Sequence, residues 1–166
     1  MHEKSIELLN RAVADELSAV HQYMYFHFQL DDQGYDLLSS IFRRTAIQEM
    51  GHVELLAERI LFLKGEVNMV VGEPVQPIHD VTKMLEKARQ MEEQSARDYN
   101  LWANECAANA DSASKKIFED LVAQEEAHFD MFDNEVDKVK TYGERYLALQ
   151  SIERSQRLAS GQVAAE

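Results

Sequence analysis

Apolar side chains recur at steps of three and four along most of the chain, the spacing of one face of an α-helix. The first such line runs Leu9, Ala12, Glu16, Ala19, Tyr23 and Leu30, and the second Leu38, Ile41, Thr45, Glu49, His52, Leu56 and Leu63. The third runs Leu85, Ala88, Glu92, Ser95, Tyr99 and Cys106, and the fourth Phe118, Leu121, Glu125, His128, Phe132 and Val139. These lines predict long helices over 4–30, 35–64, 81–108 and 113–142. Punctuation stands at their ends: Asp31-Asp32-Gln33-Gly34, Gly65, Asn109-Ala110-Asp111-Ser112 and Gly143, with Asp80 placed to cap the third helix. Residues 144–158 predict a short fifth helix and 159–166 a flexible tail, so that 1–158 form one bundle domain. The longest connection, 65–79, holds both prolines, Pro74 and Pro77. A connection of that length can cross the bundle end to end, which sets the second and third helices parallel. The expected fold is all-α, a four-helix bundle with a long crossover between helices two and three and a short fifth helix.

The polar residues on these lines carry the chemistry. Glu49 and His52 lie one helical turn apart on a face otherwise read as core. A carboxylate there is costly unless its charge is compensated, and a bound cation would compensate it. The pattern returns 76 positions later as Glu125 and His128. Glu16 precedes Glu49 by 33 positions, and Glu92 precedes Glu125 by the same interval. Tyr23 and Tyr99, Gln48 and Gln124, Phe26 and Trp102, and Phe42 and Phe118 match at the 76-residue offset too. The chain is therefore a duplicated helix pair, and four carboxylates with two imidazoles are the ligand set of a dinuclear metal site in such a bundle. Glu16 and His52 are expected to hold one metal, Glu92 and His128 the other, with Glu49 and Glu125 bridging. Tyr23 and Tyr99 can hydrogen-bond a ligand carboxylate or supply an electron, and equally can be ordinary core aromatics. Gln48 and Gln124 are candidates to support the ligands from behind.

Met50 points away from this site, about 100° around the helix from Glu49. With Ile47, Val53 and Leu61 it makes a second apolar stripe, which predicts pairing with another subunit through the first two helices. His2, His21, His27 and His79 fall outside the repeat and receive no role. Cys106 reads as a small core residue and, as the single Cys, excludes an intrachain disulfide.

Composition narrows the partners. The hydrophobic share of 45% suffices for a core, and six Gly with two Pro suit helices. The net charge of −13 disfavours nucleic acid and suits the attraction of cations. No apolar run approaches the roughly 18–20 residues that span a bilayer. Met1-His2-Glu3-Lys4 does not open a signal peptide, and with the lone Cys this sets a cytoplasmic expectation.

The segments Asp15-Glu16-Leu17-Ser18-Ala19, Gln22-Tyr23, Glu49-Met50-Gly51-His52, Glu58-Arg59-Ile60-Leu61-Phe62-Leu63-Lys64-Gly65 and Gln124-Glu125-Glu126-Ala127-His128 resemble those of bacterioferritins. The resemblance covers nearly the whole chain. It implies a ferritin-like fold, a hollow 24-subunit shell built from two-fold dimers, and iron storage and detoxification. It implies a di-iron ferroxidase centre of Glu16, Glu49, His52, Glu92, Glu125 and His128, oxidising Fe²⁺ with O₂ or H₂O₂, with Tyr23 beside it. It further implies haem b or a related iron porphyrin between paired subunits with Met50 as axial ligand, and a ferredoxin-type reductant for iron release. Two places depart from the pattern. Arg44 and Gln48 stand where some members carry a His and an Asp that hold an extra iron on the inner surface, and Arg43 replaces a tyrosine near the haem. A rubrerythrin-type peroxidase, a di-manganese catalase-like site and a shell or haem carrier with a merely stabilising metal use related ligands; the first is disfavoured by the lack of a four-cysteine segment.

Overall fold

Each predicted line becomes a helix in the computed structural model, which describes residues 2–161. Among the described residues there are five helices and no strand: α1 Glu3–Gln33, α2 Asp36–Phe62, α3 Val81–Ala108, α4 Ser112–Tyr142 and α5 Glu144–Ala159. Residues 162–166, most of the predicted tail, lie outside the described part, while Ala159 still belongs to α5. α1 packs along α2 and α3 along α4, and the two pairs meet through α1 against α3 and α2 against α4.

The helix ends show why the boundaries fall where they do. α1 runs three residues past Leu30 because Gly34, at φ 86°, takes the left-handed turn and its N–H reaches the Asp31 carbonyl at 3.0 Å. Asp80 caps α3 by accepting from Lys83 N at 2.8 Å, and Asp111 caps α4 by accepting from Ser114 N at 3.1 Å. Gly65 ends the α2 turn where a Cβ would come within 2.7 Å of Ile6, so only glycine fits.

Two apolar cores fill the bundle. One joins Leu9 and Ala12 of α1 to Leu56 and Ile60 of α2, Tyr99 and Trp102 of α3 and Phe118 of α4. The other joins Tyr23 and Phe26 to Phe42, Met84, Leu85, Phe132 and Val136. The N-terminal halves of α2 and α3 thus share one core and their C-terminal halves the other, so these helices run parallel, as the long connection predicts. Burying each of these large side chains is worth about 1.5–3 kcal/mol. Between the two cores lies a belt of buried charge: Glu16, Glu49, His52, Glu92, Glu125 and His128.

The crossover is strapped to α1 by a ladder of polar groups at four-residue intervals. Asn10 Oδ1 accepts from Asn68 N at 2.8 Å, and the Ala14 carbonyl accepts from Gly72 N at 3.0 Å. Ser18 Oγ accepts from Gly72 N at 2.9 Å and Glu73 N at 3.0 Å, and Gln22 exchanges two bonds with the Gln76 backbone. α5 docks through Tyr146, whose hydroxyl donates to Glu135, and through Arg154, 3.2 Å from Asp36.

Two positions on the predicted lines differ. Val53 does not belong to the outer apolar stripe: it is buried in the first core, while Ile47, Met50 and Leu61 are exposed. Val53 follows His52, and the turn of the helix carries it to the inner side of that stripe. Ser95 is only half-buried, with Ala96 taking the inward place beside it.

Candidate metal centre

The six acidic and imidazole residues singled out by the repeat converge at mid-bundle. α1 supplies Glu16, α2 supplies Glu49 and His52, α3 supplies Glu92, and α4 supplies Glu125 and His128, none more than 7% exposed. They form two groups, Glu16, Glu49, His52 and Glu125, and Glu49, Glu92, Glu125 and His128, with the ligand atoms of each group within 4.8 Å of one another. Glu49 and Glu125 belong to both.

Both imidazoles turn Nδ1 inward. His52 Nδ1 lies 2.8 Å from Glu49 Oε2, 3.0 Å from Glu125 Oε1 and 3.4 Å from Glu16 Oε1. His128 Nδ1 lies 2.9 Å from Glu49 Oε1, 3.5 Å from Glu92 Oε2 and 3.8 Å from Glu125 Oε2. The rings are 6.0 Å apart and inclined by 24°. Their outer Nε2 atoms donate to amide oxygens across the bundle: His52 to Gln124 at 3.0 Å and His128 to Gln48 at 3.1 Å. With Nε2 engaged as a donor, Nδ1 is the nitrogen turned to the belt for a ligand.

The tyrosines cross over as well. Tyr23 of α1 donates to Glu92 of α3, and Tyr99 of α3 donates to Glu16 of α1 at 2.6 Å. The sequence sets Tyr23 on the face of Glu16; the bundle presents it to the carboxylate of the other half.

The electrostatics show a site short of positive charge. Burial raises the Glu16 carboxyl well above its ordinary value, and repulsion from Glu125 and Glu49 adds to this; burial and Glu49 do the same to Glu92. Burial alone would lower both imidazoles, but pairing with Glu125, Glu49 and Glu92 carries His128 up to about 12, and pairing with Glu125, Glu16 and Glu49 raises His52. Burial opposes the ionised form of Glu125, yet His128 and His52 hold it down at about 2. Both oxygens of Glu49, Oε1 of Glu125 and both inward Nδ1 atoms are buried with no well-directed hydrogen bond. Carboxylate lone pairs and imidazole nitrogens converging on one point fit divalent first-row metal ions, for which oxygen and nitrogen donors are suited.

A cavity of about 410 Å³ leads to this belt from the α1–α3 side, lined by Tyr23, Glu92 and Glu125 within and by Asp15, Glu73 and Asp98 farther out. Burial, reinforced by Asp98, lifts the Asp15 carboxyl to about 6. Asp98 gave no signal in the sequence, because its place at the cavity depends on the packing of α3 against α1. Met50 stays outside the belt, 41% exposed on the outer face of α2. Cys106 is fully buried in the first core. His2, His27 and His79 meet Asp111, Ser39 and Gln29, away from the belt, and His21 is exposed.

A parallel-crossover helical bundle carrying paired carboxylate–imidazole groups at its waist is a ferritin-like protein, and the family described as a ferritin-like domain matches residues 6–142. Among curated relatives, the bacterioferritin of Desulfovibrio desulfuricans is 35% identical over 145 residues, 87% of this chain and 81% of that protein. The chain belongs to the bacterioferritin family. A crystal structure of the Desulfovibrio desulfuricans protein, described as having its diiron site in different catalytic states, superposes with a TM-score of 0.87 at 34% identity, covering 89% of this chain and 86% of that one. The Rhodobacter capsulatus bacterioferritin, described with a metal-free dinuclear site and haem iron in a crystallographic special position, gives 0.85 at 32% identity, covering 89% and 92%.

Proposed function

We propose that this chain stores and detoxifies iron by oxidising Fe²⁺ at the belt and passing Fe³⁺ to the interior of a shell of 24 copies. The observation that carries this reading is the sharing of Glu49 and Glu125 between two otherwise separate ligand groups. Glu16 and His52 bind one ferrous ion, Glu92 and His128 the other, and Glu49 and Glu125 span both. The pair gives two electrons to O₂, which takes up two protons to yield H₂O₂, or to H₂O₂, which takes up two protons to yield two waters. Tyr23, bonded to Glu92, orients that carboxylate. The negative field of the cavity mouth draws the cations inward.

The exposed thioether of Met50 suits an iron porphyrin on the outer face of α2. Ile47 lies one turn before it, the exposed Leu61 about three turns after it, and Gly51 leaves open space where a Cβ would meet nothing within 4 Å. Met50 from each of two paired subunits would hold the haem, which would supply an electron path between surface and interior, with a ferredoxin-type protein as reductant for iron release.

Replacing Glu49 by Ala removes the residue common to both groups. The expected result is loss of rapid ferric absorbance after mixing with Fe²⁺ in air, down to the rate of buffer alone. Oxidation at the wild-type rate would refute the assignment.

A further inference from the structure

The hydrogen bonds that leave the belt end on neutral groups throughout. Among the described residues these are the hydroxyls of Tyr23 and Tyr99 and the amides of Gln48 and Gln124. The amides matter most, because a metal-bound histidine commonly gives its second N–H to a carboxylate, and that partner raises the basicity of the ring and the positive charge the site will hold. Here both imidazoles meet an uncharged oxygen instead. Both Gln side chains sit at the exposed α2–α4 surface. Arg44, one turn before Gln48, reaches across to Met131 Sδ at 3.8 Å and adds positive charge to the same face. The acids outside the belt that line the cavity, Asp15, Glu73 and Asp98, lie on the opposite α1–α3 side, where Lys87 stands 3.8 Å from Glu73.

Charge counting then separates the two oxidation states. Four ionised carboxylates with neutral imidazoles match the charge of two ferrous ions. A ferric pair exceeds it by two, in a buried place where uncompensated charge is costly. We propose that Gln48 and Gln124 are positioning residues that set the valence preference of the centre: as neutral partners of both imidazoles they let it hold a ferrous pair and weaken its grip on the ferric one, so that oxidised iron is passed on rather than kept. This rests on the di-iron reading above, and it makes the belt a place of passage instead of a resident cofactor.

The test uses redox-inert ions, so that affinity is read without turnover. Zn²⁺ and Ga³⁺ (the latter supplied as citrate) are titrated by calorimetry into desalted full-length protein, wild type and the variants Gln48→Glu, Gln124→Glu and the double variant. Glutamate keeps the length of the side chain and an oxygen acceptor and adds only charge. The double variant should bind Ga³⁺ about thirtyfold more tightly and Zn²⁺ by a clearly smaller factor, about tenfold, because the attraction of the added charge scales with the charge of the ion. After two Fe²⁺ per chain are oxidised in air, it should also retain most of its ferric iron through desalting, where the wild type releases most of its own. Gln48→Ala and Gln124→Ala give the contrast, loosening the rings and weakening both ions alike. Equal shifts for the two ions in the Glu variants, or none while wild type binds two Zn²⁺ per chain, would overturn the valence role and leave the di-iron reading standing. A wild type that binds no Zn²⁺ pair would overturn both.

Discussion

Asp111 shows how single residues hold the bundle together around its centre. It caps α4 and also receives Arg59 Nη2 of α2 at 2.6 Å. Burial alone would raise its carboxyl, but bonds from Ser114 and Arg59, with the Ser5 hydroxyl nearby, outweigh this and hold it at about 2. A carboxyl with a folded value below its unfolded one of about 3.9 stabilises the fold above that pH, and the gain is lost as pH falls through the folded value. Asp111→Asn should therefore unfold at lower urea than wild type at pH 6, with the gap closing as the pH is taken from about 4 towards 2. A gap that stays constant over that range would show that cap geometry alone is at work. The charged belt was legible residue by residue, since Glu and His repeated at a fixed offset on core lines are costly to bury without a cation between them. The crossed pairing of Tyr23 with Glu92 and of Gln48 with His128 was not legible, because it depends on which side chains of separate helices come level.

At the scale of elements, helix existence followed from periodicity, and the boundaries shifted only where caps decide them, as at Gly34. The strap over residues 63–80 was the least readable part. Asn10, Ser18 and Gln22 look in sequence like polar surface positions, yet their spacing in multiples of four lets them bind the backbone of the crossover. Ser18 alone accepts two backbone N–H bonds. Ser18→Ala should cost about 1–3 kcal/mol and speed amide hydrogen exchange at Gly72 and Glu73, leaving exchange within α4 unchanged. Uniform acceleration through the bundle would show that the strap is not a local unit. The outer stripe of α2 was right at three of four positions in sequence: Ile47, Met50 and Leu61 face outward, and Val53 does not. On the proposed haem reading, Met50→Leu keeps the apolar face and removes the thioether. The expected outcome is loss of the haem absorbance band with the rate of Fe²⁺ oxidation unchanged, checked by visible spectroscopy and stopped flow.

The whole molecule joins a charged belt, an acidic cavity mouth on one side and an exposed apolar face on another. Among the described residues no helix is long and apolar enough to cross a membrane. These features support the proposed role, a subunit that takes in ferrous iron, oxidises it between two cores and assembles with copies of itself. The most direct measurement is to add several hundred Fe²⁺ per assumed shell in air and pass the mixture through a sizing column, reading iron and protein in every fraction. Soluble iron, far above two per chain and eluting with a very large particle, is the expected result. A small oligomer carrying about two irons per chain, with the remainder precipitated, would contradict storage and leave only a metal-binding bundle.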